Sequence, residues 1–236
     1  MKKYELTEET KTEFGVTLHR IRALRSFGDV EEGESGGWIE KEKNLSQKDN
    51  SWVYGDAWVY GDAEVYGDAG VYGNARVSGD AWVSGDAEVS GNARVSGDAW
   101  VYGDAEVYGD AGVYGNARVS GNALVSGDAL VSGDARVYGD ARVYGDARVY
   151  GNAEVYGNAD ISSNSDIFLV TKIGSRNDTT TFFKSRENEI WVNCGCFSGN
   201  IDQFATKVTE THGDNEHGQA YRLAIQIAKL RIKVSE

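Results

Sequence analysis

The feature that most constrains this chain is a six-residue repeat that runs without interruption from Trp52 to Ala159. It begins WVYGDA WVYGDA EVYGDA GVYGNA, and each of its eighteen units has Val in the second position and Ala in the sixth. Because side chains alternate between the two sides of a strand, Ala57 and Val59 and their equivalents point inward together. The repeat therefore predicts a core built as a stack of Val and Ala.

The second half of each unit is typical of a corner. A Tyr or Ser is followed by Gly and then by Asp or Asn, residues that tolerate turn and left-handed conformations. The chain has thirty Gly and no Pro, which fits a turn in every unit better than a collagen or a Pro-rich linker. Three corners per coil give six coils, stacked at about 4.8 Å into a rod of roughly 30 Å.

This pattern resembles the hexapeptide repeat of left-handed parallel β-helix proteins, and the resemblance implies both the handedness and a triangular cross-section. One departure is that Gly stands two places after the Val, as in Val59-Tyr60-Gly61. The stretch SFGDVEEGESGGWIEKEKNLSQKDNSWVYGDA, from Ser26, resembles the entry segment of YdcK-like hexapeptide-repeat proteins of bacteria, phages and prophages. That family implies no particular activity.

Three regions are predicted. Residues 1–51 form a β cap, in which Val16 to Leu24 alternates like a strand and Trp38, Ile39 and Leu45 cover the first coil. Residues 52–165 form the β-helix, and residues 166–236 form a small α+β domain with three strands and two helices. The first helix follows Asn200 and the second runs near Glu216 to Lys233, with both of its sides expected to be buried. This domain also resembles the tail domain of repeat-bearing phage and prophage proteins.

The repeat lacks the residues that make such solenoids catalytic. Left-handed β-helix acyltransferases use a His that emerges from the coils, and γ-class carbonic anhydrases bind zinc through three His. This chain has only His19, His212 and His217, all outside the repeat, and the repeat has no loop insertion. A non-catalytic solenoid is therefore expected, with an acyltransferase-like enzyme kept as an alternative.

The outward residue before each Val falls on one of three faces. The first face carries Trp52, Gly70, Glu88, Glu106, Leu124 and Arg142; the second carries Trp58, Arg76, Arg94, Gly112, Leu130 and Arg148; the third carries Glu64, Trp82, Trp100, Arg118, Arg136 and Glu154. The segment 55–79 is identical to 97–121, a shift of seven units that moves each outward residue to another face. This rotation argues against a finely tuned surface array such as an ice-binding site.

Two interpretations of the third face remain open. Trp82, Trp100, Arg118 and Arg136 could form an interaction strip for a partner protein or a homotrimer. They could equally form a side-chain ladder that stabilises neighbouring coils, which we favour.

The corners carry twelve Asp and six Asn, and the region from Trp52 to Ser165 holds most of the net charge of −13. Asp68, Asp86 and Asp104 follow one another on one corner. Each Asp could serve its own turn, with Asn relieving repulsion. Stacked carboxylates could instead bind calcium, or imitate DNA phosphates as an inhibitor of a nucleic-acid-binding protein. Direct binding to nucleic acid or to a membrane is not expected from an acidic rod.

Polar chemistry gathers in the C-terminal region. The candidate residues are Arg176, Asp178, Cys194, Cys196, His212 and His217. Cys194, Cys196, His212 and His217 could ligate zinc, although their spacing is atypical, and Cys194 with His212 could act as a nucleophilic pair. The favoured hypothesis is that the turn residues serve an ordinary β-hairpin and that the cysteines are small buried side chains of a strand. It includes no metal or other cofactor.

The leading functional hypothesis is a rigid stem or oligomerisation scaffold with a partner-binding C-terminal domain, related to phage or prophage proteins. The start of the chain has no apolar core of signal-peptide length, and no segment approaches the roughly 20 apolar residues of a membrane span. Together with two closely spaced Cys, this predicts a cytoplasmic protein.

Overall fold

The repeat folds into a parallel β-solenoid in the computed structural model, which describes residues 2–234. Each short strand pairs with the strand three positions later, so Trp52 lies beside Gly70 and Trp58 beside Arg76. The solenoid strands are β4 (Trp52–Val53), β5 (Trp58–Val59), β6 (Glu64–Val65), β7 (Gly70–Val71), β8 (Arg76–Val77), β9 (Trp82–Val83), β10 (Glu88–Val89), β11 (Arg94–Val95), β12 (Trp100–Val101), β13 (Glu106–Val107), β14 (Gly112–Val113), β15 (Arg118–Val119), β16 (Leu124–Val125), β17 (Leu130–Val131), β18 (Arg136–Tyr138), β19 (Arg142–Val143), β20 (Arg148–Val149), β21 (Glu154–Tyr156) and β22 (Asp160–Ile161).

Three parallel sheets form the three faces, in the register that the repeat predicts. The first face has the order β4-β7-β10-β13-β16-β19-β22, the second β5-β8-β11-β14-β17-β20, and the third β6-β9-β12-β15-β18-β21. Residues before and after the repeat lengthen the rod, which reaches about seven turns. The six predicted coils are therefore all present, and the entry and exit segments add the remainder.

The Val and Ala of every unit form one continuous core, and none of them is more than 1% exposed. The corner glycines have φ between +57° and +75°, a region that other residues adopt at a cost. At Gly85 a Cβ would also lie 2.9 Å from the backbone nitrogen of Gly103 in the next coil. Stacking of the coils therefore excludes a side chain at this corner.

The N-terminal cap is more extensive than predicted. Its elements are β1 (Tyr4–Glu13), β2 (Val16–Ala23), β3 (Ser35–Ile39) and a short 3-10 helix (Glu42–Asn44). The expected strand corresponds to β2, while β1 was not expected and pairs with it antiparallel. Trp38 and Ile39 in β3 pair in parallel with β5, and Leu45 bridges to Val65, so these residues cover the first coil by extending its sheets.

The expectation that Trp52 faces outward like its equivalents is wrong. Its side chain is fully buried, with its ring 6.0 Å from that of Tyr4 and 5.3 Å from that of Phe27. The cap folds over the first face here, and a Cβ on Gly36 would lie 2.6 Å from the indole. Burial beneath the cap makes Trp52 part of the core.

The C-terminal region contains four strands, so the three predicted were one too few. They are β23 (Ile167–Ile173), β24 (Asp178–Lys184), β25 (Ile190–Cys194) and β26 (Phe197–Asn200), in an antiparallel sheet of that order. The missed strand, β26, is only four residues long and includes Gly199, so its sequence carries little strand signal. We call residues 166–234 the tail domain.

Two helices complete the tail domain: α1 (Ile201–His212) and α2 (Glu216–Arg231). The predicted capping box is confirmed, since Asn200 Oδ1 accepts from the Gln203 backbone N–H at 3.0 Å and Gln203 Oε1 accepts from the Asn200 backbone N–H at 3.0 Å. None of the helices within residues 2–234 is long and apolar enough to cross a membrane.

Candidate functional site

The aromatic strip on the third face is a row of side chains that pack on one another. Trp82 and Trp100 lie with ring centroids 4.9 Å apart and planes 9° apart. Tyr66 packs edge-on against Trp82 at 6.3 Å, and the Arg118 guanidinium lies 4.6 Å from the Trp100 centroid. Trp82 keeps 38% of its surface exposed, but these contacts join consecutive coils, so the strip has the character of a ladder between coils.

Arg136, the fourth residue proposed for the strip, belongs to the junction with the tail domain. Its guanidinium pairs with Glu154 Oε1 at 3.3 Å, and Glu154 Oε2 accepts a hydrogen bond from Asn193 Nδ2 at 2.8 Å. The Glu154 backbone N–H donates to Thr181 Oγ1 at 3.2 Å. Asn193 and Thr181 are buried, so these polar contacts fix the tail domain on the end of the rod.

The acidic corners contain Asn–Asp hydrogen bonds along the rod. Four Asn side chains donate from Nδ2 to the Asp one coil later, at 2.8–3.0 Å: Asn50 to Asp68, Asn92 to Asp110, Asn116 to Asp134 and Asn122 to Asp140. Each such pair replaces a carboxylate–carboxylate contact by an attractive one. The corner residues therefore have a structural role between coils as well as within their own turns.

Some of the candidate residues in the tail domain come together in one cleft of about 260 Å³, which we call the tail cleft. Arg176, Cys194, Cys196 and His212 line it, together with Tyr221 of α2. Cys194 Sγ accepts a hydrogen bond from Thr180 Oγ1 at 3.1 Å and lies 3.5 Å from the Tyr221 hydroxyl. The thiol is thus engaged by two hydroxyl groups.

Asp178 and His217 lie outside the tail cleft. Asp178 borders a separate polar cleft of about 410 Å³ at the junction, near Glu154 and Asn193. The His217 ring lies 5.8 Å from that of His212, and its Nε2 is 3.8 Å from a Glu216 carboxylate oxygen. Within residues 2–234, no three His, Cys, Asp or Glu side chains are grouped as metal ligands.

Burial raises the pKa of the Tyr221 hydroxyl, and the adjacent Cys194 thiol raises it further. The phenol therefore stays protonated at neutral pH and remains a hydrogen-bond donor. The hydrogen-bond partners of the Cys194 thiol are thus hydroxyl groups, and His212, the base proposed for it, packs on Tyr221 with ring centroids 5.6 Å apart. This environment suits a binding role for the tail cleft better than a nucleophilic one.

Helix α2 presents an apolar face to solvent, which contradicts the expectation that both of its sides are buried. Tyr221, Ala224, Ile225 and Ala228 pack into the tail domain as predicted. On the other side Leu223 is 60% exposed, Ile227 45% and Leu230 70%. We call these three residues the α2 stripe. Val234, just beyond the helix, is also exposed at 37%.

Comparison with known families finds a match for the repeat. Seven windows match the model of the YdcK β-solenoid repeat: residues 69–85, 87–103, 113–127, 117–133, 129–145, 135–151 and 141–157. Over these windows the rod is similar to the YdcK β-solenoid repeat. The expected YdcK-like resemblance is thereby confirmed for the rod, whereas the cap and the tail domain lie outside the matched windows.

A relative with the same kind of repeat is the protein described as uncharacterized acetyltransferase YdcK, from Escherichia coli strain K12. It is 40% identical over 62 residues, which cover 23% of this chain and 19% of that protein. The match thus spans about a fifth of the relative. The similarity to this YdcK protein supports the solenoid fold. The rest of that protein's length lies outside the match.

Sequence reasoning missed several residues around these sites. Phe197, Phe204 and Lys207 line the tail cleft, and nothing in their spacing indicated that they meet Cys194. The α2 stripe did have a signal, since Leu223, Ile227 and Leu230 recur at helical spacing. Periodicity identifies an apolar face but does not say what covers it.

Proposed function

We propose that this chain is a scaffold protein in which the YdcK-type solenoid is a rigid stem and two copies pair through the α2 stripe. The observation that carries the proposal is the exposure of Leu223, Ile227 and Leu230 on one side of α2. Exposed apolar patches on folded proteins mark interaction surfaces. The rod contributes length and a fixed attachment for the tail domain.

The spacing of the stripe fits pairing with another helix. Leu223, Ile227 and Leu230 are separated by four and three residues, the spacing of successive d, a and d positions in a heptad. Leu at d with β-branched Ile at a favours two parallel helices. A second copy of the same helix is therefore a fitting occupant.

The charges beside the stripe are compatible with self-pairing. Gln226 and Arg231 occupy the flanking g and e positions, and in a parallel pair Gln226 of one copy faces Arg231 of the other. A neutral amide opposite a guanidinium avoids the repulsion that two like charges would produce.

A groove lined by both apolar and polar side chains lies next to the end of the helix. Arg231 at the end of α2 borders a groove of about 640 Å³ between the rod and the tail domain, lined also by Leu130, Tyr150 and Phe168. Tyr150 is 56% exposed. Pairing at the stripe places a second copy next to this groove, so the interface can exceed the area of the three stripe residues.

Sedimentation velocity of the full chain tests the proposal. From low micromolar to several hundred micromolar protein, the sedimenting mass is expected to rise from the 25.7 kDa of one chain towards twice that value. The double variant Leu223→Ser, Leu230→Ser is expected to remain a monomer throughout.

The control for this experiment is Phe14→Ser. Phe14 is 73% exposed but lies in the N-terminal cap, far along the chain from α2. It should associate as the unchanged protein does. A wild-type chain that stays monomeric over the whole range, or a stripe variant that pairs normally, would show the proposal to be wrong.

Acyl transfer is the second candidate, because the relative that is 40% identical over 62 residues is described as an uncharacterized acetyltransferase. The uninterrupted repeat between Trp52 and Ala159 contains no His that could act as a base there. His212 in the tail cleft is a candidate base outside the repeat. Release of free coenzyme A from acetyl-coenzyme A, abolished by His212→Ala, would favour this candidate; absence of turnover in the unchanged chain would exclude acetyl-coenzyme A as its substrate.

A further inference from the structure

The tail cleft has an aromatic floor that no function proposed above uses. Phe204 is its centre, with ring centroids 5.1 Å from Phe197 and 5.5 Å from Tyr221. The His212 ring lies 5.6 Å from that of Tyr221. The floor thus offers aromatic surface to an apolar group of planar shape.

The rim of the same cleft carries basic side chains. Arg176, Lys207 and His212 line it, and no carboxylate from residues 2–234 does. Lys207 pairs with Glu210 at 3.6 Å, but both side chains are well exposed, so solvent weakens that pair. Arg176 makes no hydrogen bond or ion pair with any residue in the described part of the chain.

The Arg176 guanidinium lies against the backbone of Gly195. Gly195, between the two cysteines, has φ +60°, and a Cβ there would lie 1.7 Å from a terminal nitrogen of Arg176. The guanidinium therefore lies against the β25–β26 turn. This places five N–H donors at the mouth of an apolar cleft.

We propose that the tail cleft binds a small aromatic carboxylate, with the carboxylate on Arg176 and Lys207 and the ring on Phe204 and Tyr221. A guanidinium binds a carboxylate through two parallel hydrogen bonds, which are strong because both partners are charged. The volume of about 260 Å³ lies just below the range of pockets for drug-sized ligands, so a single-ring molecule fits. Binding does not require the α2 stripe, which lies on the opposite side of the helix.

Benzoate is the probe, and ¹⁵N chemical shifts of the full chain are the measurement. Benzoate is expected to shift amide signals around residues 194–197 and 204–212 in a saturable manner. Benzyl alcohol, which keeps the ring, and acetate, which keeps the carboxylate, should each bind at least about tenfold more weakly, because each loses one half of the recognition.

Two variants separate this site from general charge attraction. Arg176→Gln should weaken benzoate binding by at least about tenfold and leave benzyl alcohol unaffected. Lys172→Gln removes an exposed cation from the same hairpin outside the cleft and should change neither. Equal binding of acetate and benzoate, equal affinity in Arg176→Gln, or no saturable shift with millimolar benzoate would each overturn the proposal.

Discussion

Trp82 and Trp100 stack face to face on the third face of the solenoid, with ring centroids 4.9 Å apart. Tyr66 packs edge-on against Trp82 and the Arg118 guanidinium lies over Trp100, so the pair is extended at both ends by further ring contacts. The most conspicuous aromatic group on the rod therefore acts between coils.

Trp100→Ala tests this structural role. The change removes one stacked ring and the cation–π contact of Arg118, and we expect it to lower the free energy of unfolding by about 1–2 kcal/mol. Urea unfolding followed by circular dichroism measures the loss. An unchanged unfolding midpoint would mean that the stack contributes nothing to stability.

The corner glycines provide a matched pair of substitutions. Gly85 and Gly151 have φ +71° and +64°, so Ala at either position carries the same backbone cost of about 1–2 kcal/mol. Only Gly85 has a neighbouring coil within 3 Å of the added Cβ, whereas Gly151 has nothing within 4 Å. Gly85→Ala is expected to be the more destabilising by a further 1–3 kcal/mol or so in chemical denaturation. Equal losses would show that coil stacking leaves room at the corner.

The acidic corners predict opposite effects from exchanging Asp and Asn. Asp86 lies between Asp68 and Asp104, so Asp86→Asn should raise the melting temperature by about 1–2 °C by replacing repulsion with an amide–carboxylate contact. Asn122→Asp should lower it by a similar amount, because it removes the donor to Asp140. Both changes should shrink in high salt. If both substitutions changed the melting temperature in the same direction, the proposed role of the Asn–Asp hydrogen bonds between corners would be contradicted.

The buried side chain of Lys3, in the N-terminal cap, is expected to make the free energy of unfolding depend on pH. Its side chain is fully buried, donating to the carbonyls of Asp49 at 3.0 Å and Ser51 at 2.7 Å, and burial lowers its pKa from 10.5 to about 8. Between pH 8 and pH 10.5 the unfolded chain holds more protons than the folded chain, so this residue makes stability rise with pH over that interval.

The measurement is the free energy of unfolding in urea at pH 7.5, 8.5 and 9.5, with Lys3→Met as the reference. The free energy of unfolding of the unchanged chain minus that of Lys3→Met should increase as the pH rises. A difference that stays constant would mean that the Lys3 pKa is not lowered in the folded state. Keeping below pH 10 limits the opposing effect of tyrosines such as Tyr54, whose pKa burial raises.

The solenoid could be predicted closely because its information is local and repeated. Val59 and Ala57 fixed the inner side, and the three-strand period then assigned Trp82 and Trp100 to one face. Trp52 departed from that rule because its environment depends on Tyr4 and Phe27, which lie far from it in sequence. A periodic pattern cannot report such a contact.

The candidate sites were harder to predict, for two different reasons. In the tail cleft, Cys194 meets Tyr221 through packing of β25 against α2, and no spacing rule connects them. On α2, the pattern of Leu223 and Leu230 correctly indicated an apolar face, but whether such a face is covered depends on what packs against it. Helical periodicity is the same for a buried face and for a docking face.

Sedimentation velocity on two multiple variants tests most directly the claim that the rod is a stem and α2 the docking element. One variant changes the rod surface by Trp82→Thr, Trp100→Thr and Arg118→Thr; the other changes the stripe by Leu223→Ser and Leu230→Ser. The rod variant is expected to pair with the affinity of the unchanged chain, and the stripe variant to sediment as a monomer. Loss of pairing in the rod variant, with pairing retained in the stripe variant, would contradict the account.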